Sequence, residues 1–150
     1  MKIQFLFLTL ALPLSFVACS PKRDTIYSTS QGAIKGYDPV AYFTESMPVE
    51  GKKDITYKWN DANWHFASEK NRDAFKANPE AYAPQFGGYC AYAMSESSFY
   101  KIDPKVWKIV NGKLYLNYHL DVHQIWESEQ DERIKRAEEY WSTVSFKDDN

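Results

Sequence analysis

Val106-Trp107-Lys108-Ile109-Val110-Asn111-Gly112-Lys113-Leu114-Tyr115-Leu116-Asn117-Tyr118 is the stretch that decides the fold. Two runs rich in β-branched and aromatic residues flank an Asn-Gly pair. That pair accepts positive φ at both centre positions of a two-residue turn, so the stretch predicts a β-hairpin. Upstream, Ile55-Thr56-Tyr57-Lys58-Trp59 and Trp64-His65-Phe66 alternate apolar with polar residues around Asn60-Asp61-Ala62. That pattern predicts a second hairpin with one face buried.

Helical signals fill the remainder. Asp38-Pro39 reads as an N-cap and first helical position before Val40-Ala41-Tyr42-Phe43, and Ser46 to Lys53 reads as a loop. Ser68 is placed to cap a helix through Phe75, and Asn78-Pro79 starts a further turn ending before Pro84. A brief helix is expected over Cys90 to Met94. His119 is a candidate cap for a helix with Val122, Ile125 and Trp126, and Gln130 to Ser145 carries Ile134, Ala137, Tyr140, Trp141 and Val144 at helical spacing. The expectation is an α+β fold: a small antiparallel sheet from two hairpins, short helices over it, and a C-terminal amphipathic helix.

Aromatic residues make up 17% of the chain, ample material for the core of one domain. The net charge of −2 leaves no basic footprint for nucleic acid. There are 2 cysteines. Cys90 follows Pro84-Gln85-Phe86-Gly87-Gly88-Tyr89, where the glycines permit a sharp turn or a close backbone approach.

The other cysteine closes the N-terminal segment. Lys2 gives a short positive region, and Phe5 to Val17 is apolar but too short to span a bilayer. The end, Phe16-Val17-Ala18-Cys19-Ser20, resembles a bacterial lipoprotein signal in which Cys19 is lipidated and becomes the first mature residue. Ser20 in the next position resembles lipoproteins sent to the outer membrane of Gram-negative cells. Ordinary cleavage nearby would instead leave a soluble periplasmic protein. The expected organisation is a signal over 1–19, a tether over 20–33, a domain over 34–146 and a charged tail over 147–150. A lone Cys90 in an oxidising compartment is buried, metal-bound, catalytic or paired with another molecule.

Gly36-Tyr37-Asp38-Pro39-Val40-Ala41-Tyr42-Phe43, Trp64-His65-Phe66-Ala67-Ser68, Asn71-Arg72-Asp73-Ala74-Phe75, Asn78-Pro79-Glu80-Ala81-Tyr82 and Phe86-Gly87-Gly88-Tyr89-Cys90-Ala91 occur in this order. Asp103-Pro104, Trp107 and Gly112 to Asn117 follow. Together these landmarks resemble the YHS domain family in its extracytoplasmic branch. The resemblance implies metal handling, as in compact YHS domains beside copper-transporting ATPases. In those, cysteines follow the Asp-Pro element and lie near the strand-to-helix junction. Here Ala41 stands in the first place, and Phe66-Ala67-Ser68 has no thiol in the second.

Cys90 would supply a soft thiolate for Cu(I) or zinc, with Met94 four residues on as a thioether. His119 and His123 are four apart, a chelating spacing if both sit on one helical face. Asp38 offers a hard oxygen. Each has a plain alternative: Cys90 and Met94 in the core, two solvated histidines, and Asp38 as a cap. His65 lies between inward-facing Trp64 and Phe66 and faces out. Zinc-protease, phosphate-loop, nucleophile-elbow and CxxC motifs do not occur. The sequence therefore reads first as a non-enzymatic envelope lipoprotein binding copper, then zinc, or a small ligand near Cys90. The alternatives are a thiol-based redox or enzyme accessory using Cys90, and a module that docks to another envelope protein without a ligand. The oligomeric state stays open, and a metal site shared in a dimer is compatible with so few ligands.

Overall fold

Asn111 and Gly112 both take positive φ, 51° and 75°, as the hairpin turn requires. They join β5 (Asp103–Val110) to β6 (Lys113–Asn117) in antiparallel register, Val110 opposite Lys113. Asn60 and Asp61 do the same for β3 (Lys52–Trp59) and β4 (Ala62–Phe66), pairing Trp59 with Ala62. The computed structural model describes residues 23–147. Cys19, the expected leader over 1–19, and 148–150 lie outside the described residues.

The α+β class holds, with one difference in the sheet. The two hairpins do not join edge to edge; each is a separate two-stranded sheet. A third pair forms from β1 (Ser28–Thr29) and β2 (Gly32–Ala33). The helices are α1 (Ala41–Thr44), α2 (Glu69–Ala77), α3 (Pro79–Tyr82), α4 (Ala91–Ser95), α5 (Leu120–Ser128) and α6 (Gln130–Trp141). Ser68 caps α2 by accepting from the Asn71 N–H at 3.2 Å. No helix among the described residues is long and apolar enough to cross a membrane.

The alternation in β4 drives Trp64 and Phe66 fully inward against Phe75 of α2, with Ile34, Tyr42, Leu114 and Leu116 in the same cluster. Burying each Phe stabilises the fold by roughly 1.5–3 kcal/mol. A second cluster gathers Met94, Tyr115, Trp126 and Ala137 under α6.

Residues 23–33 are not a tether. Ile26, Ala33 and Ile34 are buried, the Tyr27 N–H donates to the Gly87 carbonyl at 2.8 Å, and Arg23 bridges Phe146. The apolar pairs Ile26-Tyr27 and Ala33-Ile34 flank a tight turn, so the segment packs although its remaining residues are polar. Gly87, at φ 60°, lies against it, and a Cβ there would collide with the Thr25 carbonyl oxygen. A Cβ on Gly88 would sit 2.6 Å from Ile34 Cγ2. The glycine pair thus serves close packing of the N-terminal segment.

Asp38 is fully buried, and its carboxylate collects three donors. Oδ1 accepts from the Val40 N–H at 2.9 Å, and Oδ2 from the Ala67 N–H at 2.8 Å and Asn71 Nδ2 at 2.7 Å. The start of α1, the exit of β4 and the first turn of α2 are therefore held by one side chain. We predict that Asp38→Ala, which strands three buried donors, costs about 3–5 kcal/mol in chemical denaturation. Asp38→Asn, keeping an acceptor oxygen, should cost less; equal loss in the two variants would contradict this role.

Candidate functional site

The end of β6 places the Asn117 side chain in the interior between α4 and α5. The Tyr92 N–H donates to Asn117 Oδ1 at 2.9 Å, which fixes the orientation of the amide. Nδ2 then faces Nδ1 of His123 at 3.0 Å. An amide nitrogen only donates, so Nδ1 must be the bare acceptor and the ring proton sits on Nε2. Nε2 lies 3.6 Å from Glu127 Oε1. The Cys90 thiol donates to Oδ1 from the other side at 3.6 Å.

Cys90 is 1% exposed. Burial pushes its thiol pKa up, against a smaller opposing pull from the main chain of Ala93, Tyr118 and Tyr92. A thiol held protonated and sealed is a poor nucleophile and a poor ligand. His123 is pushed down by burial, opposed by Glu127, so it stays neutral more readily than an exposed histidine.

The remaining sequence candidates lie elsewhere. Met94 is one turn beyond Cys90 but packs in the second core cluster, whereas Cys90 packs in the first. His119 caps α5, Nδ1 accepting from the Asp121 N–H at 3.3 Å, and is exposed while His123 is buried. The two are therefore not a chelating pair. Asp38 is consumed by its three donors. Among the described residues no group of three or more His, Cys, Asp or Glu is placed to hold a metal ion. Copper and zinc need deprotonated donors that converge, and this set does not fit them.

What the fold does leave open is a cleft of about 810 Å³ between the start of β3, β4 and the start of β5. His65 lines it, half-buried, with no side-chain hydrogen bond among the described residues. Gly32 and Gly36 lie beside the ring: a Cβ on Gly32 would lie 2.7 Å from the Asn63 carbonyl oxygen and 3.0 Å from Nε2, whereas one on Gly36 would meet the Gln31 carbonyl oxygen at 2.7 Å and only touch Nδ1 at 3.6 Å. Lys35, Lys53 and Lys105 line the same cleft with no carboxylate partner among the described residues. Its two carboxylates are engaged: Glu50 accepts from the Tyr37 hydroxyl at 3.3 Å, and Asp103 from the Lys105 N–H at 2.9 Å. Both keep their negative charge, but the three lysines outnumber them, so the net charge of the lining is positive. His119 and Tyr118 close the far wall. Tyr118 adjoins Asn117, so the cleft and the thiol share one stretch of backbone.

Sequence reasoning placed His65 outward but missed Asn117, Asn71 and the glycine cradle. Asn117 was visible as a polar residue ending an otherwise apolar strand. Gly32, Gly36 and Gly51 carry no local pattern that ties them to His65, and only the folded chain brings them together.

The family model of the YHS domain matches residues 40–86. The match contains Glu50, Lys53 and His65 and ends before Cys90. The YHS domain is associated with metal binding. No curated protein and no solved structure matches the chain.

The sealed thiol predicts that Cys90 is not alkylated by iodoacetamide in the native protein and reacts at the ordinary rate in denaturant. Rapid native alkylation would contradict the burial. The neutral His123 predicts a pH effect of definite sign. Its folded pKa lies below the unfolded value of about 6.5, so its stabilisation is whole above that pH and is lost as pH falls towards the folded value. Thermal unfolding scans should show the midpoint dropping as the pH is lowered from about 7 to about 5, and His123→Gln should shrink that drop.

Proposed function

We propose that this chain, which carries a YHS domain over residues 40–86, is a non-enzymatic binding protein of the cell envelope. It is held to the membrane by lipid on Cys19, as the apolar leader ending in Ala18-Cys19-Ser20 suggests. Its ligand is a small anion, a carboxylate or phosphate compound, seated in the cleft around His65. The observation that carries this reading is the contrast between two sites. Cys90 is closed and satisfied, whereas His65 and three lysines face open space without partners in the described chain.

The imidazole is half-buried, lines the cleft and makes no side-chain hydrogen bond among the described residues. Lysine and histidine donors suit an anion, and the three lysines outnumber the two rim carboxylates, Glu50 and Asp103. Catalysis finds no support, because the thiol cannot meet a substrate. Copper and zinc, the metals that the family resemblance implies, find no converging donors at Cys90.

The chain has 3 histidines, which makes the test direct. Inorganic phosphate or citrate is titrated into the purified domain while the imidazole signals are followed by NMR. His65 and His119 should shift in a saturable way while His123 stays fixed. Lys53→Ala combined with Lys105→Ala should weaken binding about tenfold or more. Unmoved His65 and His119 signals would contradict the proposal. So would stoichiometric copper or zinc in the native protein that disappears in Cys90→Ser.

A further inference from the structure

The chain enters the fold at Arg23 and is fastened there. The Lys147 N–H donates to the Arg23 carbonyl at 3.1 Å, Arg23 bridges Phe146, and its guanidinium lies 5.0 Å over the Phe99 ring. Asp24 is held by Lys147 Nζ at 2.6 Å, and its carbonyl accepts from the Tyr89 hydroxyl at 3.0 Å. Only Ser20, Pro21 and Lys22 separate Cys19 from this fastened point. Four Cα-to-Cα steps span at most roughly 14 Å. Acyl chains on Cys19 would leave that residue at headgroup level, so Arg23 stays within roughly 14 Å of it.

We infer that the face bearing Arg23, Asp24, Asn60, Asp61 and Lys147 rests on the lipid surface and that the His65 cleft opens at the opposite end. Asp24, Asn60, Asp61 and Lys147 surround one depression, so the tip of the β3–β4 hairpin belongs to the anchored face. The other end of β3 carries Lys53, which lines the cleft. Between the Trp59–Ala62 pair and the Lys52–Phe66 pair β4 advances four residues, roughly 13 Å, because β3 bulges between Lys52 and Thr56. Phe99, Trp141 and Phe146, half-buried beside Arg23, are residues of the kind that settle at a lipid–water boundary. The partner of this face is a phospholipid surface. The arrangement presents the cleft to the aqueous compartment rather than to the bilayer.

The inference rests on the lipid anchor at Cys19 proposed above, and two separate readouts keep the premises apart. The full chain is expressed in a bacterium, and the mass of its N-terminal peptide reads the anchor. Asp61→Cys and Lys53→Cys are then labelled with a fluorophore, Cys90 being sealed. The labelled lipoproteins are placed in phosphatidylethanolamine–phosphatidylglycerol vesicles containing a headgroup-spin-labelled lipid. Quenching at position 61 should exceed that at position 53 by about twofold or more. Ten Gly-Ser residues inserted between Lys22 and Arg23 should bring the two positions towards equal quenching. Equal or reversed quenching in the lipidated chain without the insert overturns the orientation while leaving the anchor standing. A peptide without lipid at Cys19 overturns both. The anion titration of the cleft is independent of either result.

Discussion

The Asn117 amide is the constraint from which the chemistry of this chain follows. One N–H, from Tyr92, decides which end of the amide faces which way. Once that is fixed, the oxygen accepts a hydrogen bond from the Cys90 thiol and the nitrogen donates to His123 Nδ1. Both residue types that sequence reasoning singles out for soft-metal or redox chemistry are thereby spent on joining β6 to α4 and α5. A buried polar network of this kind stabilises only when complete, because any stranded donor costs about 1–3 kcal/mol. Here the donor and acceptor roles match, and the histidine is held in its neutral form.

Asp38 plays the corresponding part at the other end of the domain, tying α1, β4 and α2 through three short hydrogen bonds. The glycine pair before Cys90 lets the N-terminal segment pack against the main chain. With these groups committed to architecture, His65 and three lysines still line one cleft without side-chain partners among the described residues. His65 stands there among glycines, and Lys35, Lys53 and Lys105 point positive charge at solvent without a partner in the described chain. The ligand reading moves from the thiol to the imidazole for that reason.

Much of the architecture was legible in the sequence. Asn111-Gly112 and the alternation of Trp64 and Phe66 report local backbone geometry and burial, which depend on near neighbours. Both hairpins follow from them, and the Ser68 cap and the spacing of Ile134, Ala137, Tyr140 and Trp141 report the helices in the same local way. The separation of the hairpins into distinct sheets was not legible, since strand pairing across fifty residues leaves no local mark. The N-terminal segment misled because its polar composition outweighed Ile26 and Ala33, whose partners lie far along the chain. The site was less legible than the fold. Spacing brought Cys90 near Met94 and His119 near His123, but the first pair packs in two different core clusters and burial divides the second. The glycines around His65 acquire meaning only through a contact between distant strands.

The central claim is that the thiol and His123 belong to the fold and are not part of a converging set of metal donors among the described residues. Nitrogen-15 NMR of the His123 ring, recorded before and after one equivalent of Cu(I), tests it most directly. The account predicts a neutral ring with its proton on Nε2 in both spectra, unmoved by the metal. A ring that loses its Asn117 hydrogen bond and shifts as copper is added, together with the Cys90 β-carbon, would contradict it.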